Sequence, residues 1–142
     1  MTGTVLADAV AIVGLLSETD QWHDKALFHF KKLPKPFYTC EAVITESCFL
    51  MRESINGEKQ VLDLIANNVL RIDFSVASEV DSLKSLMHKY KSVPMSLADA
   101  CLVRMTEILG ATIFTFDGDF EIYRKHGRQR ISLIGINDSF KY

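Results

Sequence analysis

Short apolar runs alternate along this chain with longer segments of helical period, and that alternation restricts the fold more than any other feature. Residues 4–7, 37–40, 70–74, 112–116 and 131–136 read as strands. Residues 10–16, 20–32, 41–52, 59–67, a segment opening at Ser75, and 96–109 read as helices. Strands separated by helices build βαβ crossovers and hence an α/β fold on a largely parallel sheet. Local signals place the boundaries. Asp20 is a candidate cap for a helix carrying Trp22, Ala26, Leu27 and Phe30 on one stripe, with core as their default destination. Pro34 and Pro36 close that helix, Ser96 is a candidate cap for the last long one, and Gly110 is a stop. Val76, Val80, Leu83 and Met87 recur at helical spacing after Ser75, and a short helical turn is expected over 119–125. With 142 residues, no internal repeat and no linker, a single domain over 1–142 is expected.

Composition removes several classes. Hydrophobic residues make up 48% and charged ones 24%, the balance of a globular chain. A formal charge of −2 argues against a strongly basic nucleic-acid binder. Cys40, Cys48 and Cys101 are odd in number without Cys-x-x-Cys spacing, so neither a disulfide framework nor a zinc site is expected. The apolar stretch 5–16 is broken by Asp8 and falls short of the roughly 18 residues of a membrane span. A reduced, cytoplasmic protein without a membrane partner is the resulting expectation. No phosphate-binding glycine loop or Gly-x-Ser-x-Gly elbow is present, and His23, His29, His88 and His126 are scattered as ordinary surface residues would be.

The acids are less ordinary. Asp8 closes the first strand and Asp117 the run Ile113-Phe114-Thr115-Phe116, where an open parallel sheet binds its ligands. Asp8 would serve equally as a cap for the following helix. Glu46 has Ala42, Val43, Phe49 and Leu50 as its helical neighbours, so a carboxylate stands on an apolar face, which is costly unless paired or metal-bound. An ion pair with a distant arginine is the alternative. Asp99 shares its face with Met95, Leu102 and Val103, and also suits the first turn of a helix capped by Ser96. Asp119 reads as the cap of the next short helix, within reach of the same place.

If these carboxylates converge, each pair about 4 Å apart repels by roughly 4 kcal/mol at an effective dielectric near 20. Such a cluster must hold protons or bind cations. Oxygen-only ligands without His or Cys suit Mg²⁺ or Mn²⁺, which lower the pKa of an attacking water and steady a leaving oxygen of a phosphodiester.

These residues resemble the PIN (PilT N-terminus) domain family. Leu6-Ala7-Asp8 running into Ala11–Leu16 is similar to the family's opening, and Thr45-Glu46 within a helix to its second acidic motif. Pro94-Met95-Ser96-Leu97-Ala98-Asp99-Ala100 resembles the third motif. Thr115-Phe116-Asp117-Gly118-Asp119-Phe120, with Tyr123-Arg124 and Gly127, resembles the fourth. The resemblance spans nearly the whole chain. It implies a three-layer α/β/α sandwich around a parallel, about five-stranded sheet. Asp8, Glu46, Asp99 and Asp117 become the metal-binding and catalytic acids, with Asp119 as a further metal ligand and Thr115 and Ser96 in support. The implied activity is a Mg²⁺- or Mn²⁺-dependent ribonuclease of VapC-like type, a toxin paired with an antitoxin protein and forming a homodimer. One departure stands out: Ala9 and Val10 follow Asp8 where the family usually offers a hydroxyl or amide. Loss of such a hydrogen bond commonly lowers metal affinity or activity about 10–100-fold. A weak or inactive PIN-fold module that binds RNA or a protein is therefore the second expectation, and a metal-dependent phosphatase, which would want a second Asp after Asp8, the third.

Charge is unevenly spread. From Lys84 onward nine Lys and Arg face six acids, and two divalent ions would move the formal total from −2 to +2. Lys84, Lys89 and Lys91 suit the end of a helix. Arg124, Lys125, Arg128 and Arg130 form a loop cluster beside Asp117 and are the candidate RNA contacts, with Tyr90 and Tyr123 as candidate stacking platforms and Phe120 better suited to the core.

Overall fold

The computed structural model describes residues 3–136, so the outermost residues of the domain expected over 1–142 lie outside it. The chain runs β1 (Val5–Ala7), α1 (Ala9–Leu16), α2 (His23–Lys32), β2 (Phe37–Thr39), α3 (Glu41–Leu50), α4 (Gly57–Ala66) and β3 (Leu70–Ile72). It continues through a 3-10 turn at Ala77–Glu79, α5 (Val80–Lys89), α6 (Leu97–Leu109) and β4 (Thr112–Thr115). A second 3-10 turn (Gly118–Glu121), β5 (Arg124–Lys125), β6 (Gln129–Arg130) and β7 (Leu133–Gly135) complete it.

Five strands form one sheet in the order β3-β2-β1-β4-β7, every neighbouring pair parallel. The chain moves outward from β1 to β3 and then returns past β1 to β4. Right-handed crossovers in opposite directions put helices on opposite faces, and β4 accordingly touches both α1 and α6. This is the expected α/β sandwich on a parallel five-stranded sheet. The reversal falls between β1 and β4, so their carboxyl ends diverge there and leave a crevice. Asp8 and Asp117 follow those two strands.

The two strands at the centre of the reversal, β1 and β4, are buried on both faces, as continuous apolar runs predict. Leu6, Ile113 and Ile134 are sealed, and Phe114 packs edge-on against Phe37, Phe116 and the His29 ring. His29 is thus a core residue, unlike the surface histidine expected. Trp22 stacks flat on Phe116 at 4.9 Å and is half-buried against the core. Cys40 and Cys101 are buried free thiols. No described helix is long and apolar enough to cross a membrane.

Differences from the expected elements have local causes. Asp20 spends its carboxylate on the Trp22 N–H, so it shapes a turn and α2 begins at His23. Val76 and Val80 are exposed and only Leu83 of that stripe is buried, because a 3-10 turn rotates the chain before α5 begins. Residues 124–130, expected as the end of a helical turn and a loop, form a two-stranded antiparallel hairpin too short to show any period.

Gly135 is required by its neighbour. It pairs with Thr115 at φ +111°, and a Cβ there would lie 2.4 Å from the Thr115 carbonyl oxygen.

Candidate metal centre

Four elements supply the acids, and each is held by its own local chemistry. Asp8 leaves β1 and caps α1, Oδ1 accepting from the Ala11 N–H at 2.8 Å. The capping role foreseen for it is real and uses one oxygen. The other accepts from the Thr115 hydroxyl at the end of β4. Thr115 Oγ1 in turn accepts from the Asp117 N–H at 2.9 Å, so one fully buried hydroxyl ties together the ends of the two central strands. The hydroxyl that Ala9 and Val10 fail to provide is therefore supplied from across the sheet.

Asp117 caps the 3-10 turn, its Oδ1 accepting from the Asp119 N–H at 2.9 Å. The cap assigned to Asp119 from sequence belongs to Asp117, and that leaves the Asp119 carboxylate free to turn inward. Asp99 sits in the first turn of α6, where Ser96 Oγ accepts its backbone N–H at 3.0 Å. Ser96 supports the site through that backbone bond. Asp99 Oδ2 accepts from the Tyr123 hydroxyl at 2.8 Å.

One oxygen from each of Asp99, Asp117 and Asp119 lies within 4.8 Å of the others. Asp8 and Glu46 stand outside this triad yet feel it: the charges of Asp117 and Asp99 act on both. The apolar neighbours of Glu46 proved a poor guide, since Phe49 and Leu50 face solvent and the buried side of α3 is Val43, Ile44 and Ser47. Glu46 is itself exposed and borders a shallow groove between α3 and α6, with Phe49 and Leu97 among its walls.

Electrostatics marks the place. Desolvation, reduced by the Thr115 and Ala11 hydrogen bonds and reinforced by Asp117 and Asp99, pushes Asp8 up to about 7. Glu46, Asp99 and Asp119 are also raised, each by desolvation first and by neighbouring carboxylates after it, with the Tyr123 bond pulling Asp99 back. At 4.8 Å an ionised pair repels by about 3 kcal/mol at an effective dielectric near 20. Among the described residues no salt bridge reaches any of these five acids: the ion pairs are Lys59–Asp63 and Arg104 with Glu79 and Glu107. The ion pair considered for Glu46 is thus not formed. Carboxylates gathered without a cation, offering oxygen alone, fit a hard divalent ion.

The basic cluster is only partly as expected. Arg124 Nη1 donates to the carbonyls of Glu121, Ile122 and Tyr123, so its charge closes the 3-10 turn. The hairpin then leads away from the acids. Tyr123 meets Asp99, whereas the His126 N–H meets Glu107, eight residues along α6 and so about 12 Å further on. Lys89 Nζ holds the tip through the Gly127 carbonyl. Arg128 and Arg130 are exposed on this hairpin. Tyr90 and Tyr123 are buried, their rings 5.1 Å apart, and neither is available to stack on a base; Phe120 is core. The bond from Tyr123 to Asp99 was missed from sequence. Its one signal was a tyrosine beside Ile122, whose hydroxyl needs a partner once the ring is buried.

Compared with known families, residues 5–126 match the PIN domain model. The chain belongs to the PIN domain family. No curated protein sequence matches it. The crystal structure of VapC20 from Mycobacterium tuberculosis, a sarcin–ricin loop cleaving toxin, aligns with a TM-score of 0.73 over 84% of this chain and 94% of its own. Identity is 19%, so this likeness is one of fold. In this PIN domain Asp8 and Asp117 follow β1 and β4 at the crevice, Glu46 lies on α3 and Asp99 at the start of α6.

Proposed function

We propose that this PIN domain is a divalent-metal-dependent endoribonuclease, the toxin of a toxin–antitoxin pair. The observation that carries the proposal is the convergence of Asp99, Asp117 and Asp119 to within 4.8 Å with no compensating cation among the described residues. Asp99, Asp117 and Asp119 would hold the ion, with Asp8 and Glu46 completing its surroundings. A bound Mg²⁺ or Mn²⁺ would supply an activated water for in-line attack and stabilise the leaving oxygen of the phosphodiester. Asp8, with both oxygens engaged by Ala11 and Thr115, anchors the crevice. Glu46, exposed at the rim, is the acid free to take up a proton from the solvent side. Arg128 and Arg130 would contact the RNA backbone, with Lys125 beside them and Arg124 shaping the turn that carries them. Membership of the family and the VapC20-like fold support a cognate antitoxin, a homodimer, a single domain and a cytoplasmic setting as parts of this proposal.

The inactive-module alternative rests on Ala9 and Val10; the Thr115 hydroxyl, which donates to Asp8 from across the sheet, supports the active reading over it. A phosphatase needs a free aspartyl nucleophile, which Asp8 is not.

Asp99→Asn tests the proposal. It should abolish Mg²⁺- or Mn²⁺-dependent cleavage of RNA while the metal-free protein stays as stable or gains stability, because one repelling charge is gone. Undiminished cleavage by the variant would refute the assignment.

A further inference from the structure

Asp99 is held at both ends, and the second hold comes from a residue that is not one of the acids. Its backbone N–H is fixed by Ser96 Oγ. Its carboxylate, flanked by Asp117 and Asp119, would be driven by repulsion toward rotamers that separate the charges. What opposes this is the hydroxyl of Tyr123, on a ring with no exposed surface, donating at 2.8 Å to Oδ2. That ring cannot swing away. Tyr90 packs edge-on at 5.1 Å and Phe120 at 5.4 Å, so the two rings alone confine it. The donor is also neutral. A lysine or arginine in its place would orient the carboxylate but would fill the cluster with its own charge and compete with a divalent ion. A buried phenol gives a charge-assisted hydrogen bond without that competition.

We propose that Tyr123 is a positioning residue for the metal centre: its hydroxyl, locked by the Tyr90 and Phe120 rings, sets the orientation in which Asp99 meets Asp117 and Asp119. The inference rests on the proposed metal-dependent nuclease and extends it to a residue outside the acidic set. It also makes the hairpin that begins at Arg124 a structural extension of the metal site.

The test is calorimetric titration of the purified chain with Mn²⁺, comparing the wild type with Tyr123→Phe and Tyr90→Phe. Tyr123→Phe keeps the ring and removes one oxygen. It should bind Mn²⁺ about 10–100-fold more weakly, the usual cost of losing such a partner, while its metal-free urea unfolding midpoint stays near that of the wild type. RNA cleavage should recover as Mn²⁺ is raised, with the KM for RNA unchanged, which a merely loosened fold would not show. Tyr90→Phe keeps both rings and the bond to Asp99, and should bind Mn²⁺ within about twofold of the wild type. Wild-type affinity in Tyr123→Phe, or an equal loss in both variants, would overturn the assignment to the hydroxyl while leaving the nuclease proposal intact. A wild type that neither binds Mn²⁺ nor cleaves RNA would overturn both.

Discussion

Asp8→Asn in the metal-free protein should remove a pH dependence of stability that one buried carboxylate creates. Asp8 is 5% exposed and titrates near 7 in the folded chain against an ordinary value of 3.8. Between those two values the native state holds a proton that the unfolded state has released. Stability is therefore greatest below the unfolded value and is lost as pH rises through the folded one. The gap between the two values corresponds to about 4 kcal/mol in all, of which about 2 kcal/mol is lost between about pH 5.5 and 8.5. The asparagine of the variant retains the acceptor for the Ala11 N–H and offers its amide to Thr115, a pH-independent change of about 1 kcal/mol. Urea unfolding of both proteins, with a chelator present, gives the difference directly. The variant should gain on the wild type by about 2 kcal/mol across that window, and contributions common to both proteins cancel. Glu46, Asp99 and Asp119 are raised as well and add to the slope of both proteins in the same direction. A stability difference that stays constant from about pH 5.5 to 8.5 would refute the claim that burial holds Asp8 protonated.

Thr115→Val should cost about 2–4 kcal/mol by urea unfolding, since Asp8 loses a donor and the Asp117 N–H an acceptor, whereas Thr115→Ser should recover most of it. Gly135→Ala should lose about 1–3 kcal/mol and weaken Mn²⁺ binding, because its Cβ meets the Thr115 carbonyl at a positive φ; a stable variant with unchanged metal affinity would contradict that contact. Arg128→Ala should leave thermal unfolding unchanged while lowering the salt slope of RNA binding by about 0.7 per lost phosphate contact, measured by fluorescence anisotropy. Arg124→Ala should instead lower stability by about 1 kcal/mol, as three carbonyls lose their donor.

Much of this molecule was legible in one dimension because its signals are local. Alternating strands and helices dictate a parallel sheet, Ser96 and Gly110 bracket α6 as caps should, and acids ending β1 and β4 fall at the crevice because strand ends are where side chains leave the core. Other features depend on residues that meet only after folding. Nothing near Asp8 in sequence reveals that its hydroxyl partner is Thr115, 107 positions away. The apolar neighbours of Glu46 suggested burial, yet α3 lies near the surface and exposes Phe49 and Leu50. Asp117 took the cap expected of Asp119, since the chain turns earlier than helix signals imply. The hairpin at 124–130 carries its cations along α6, a direction no residue count contains. The chain alone determined which residues are acids, which elements carry them and that Asp8 and Asp117 follow strand ends. Tertiary structure decided their distances, their hydrogen-bond partners and their protons, because those depend on through-space fields and on burial shared among segments far apart in the chain.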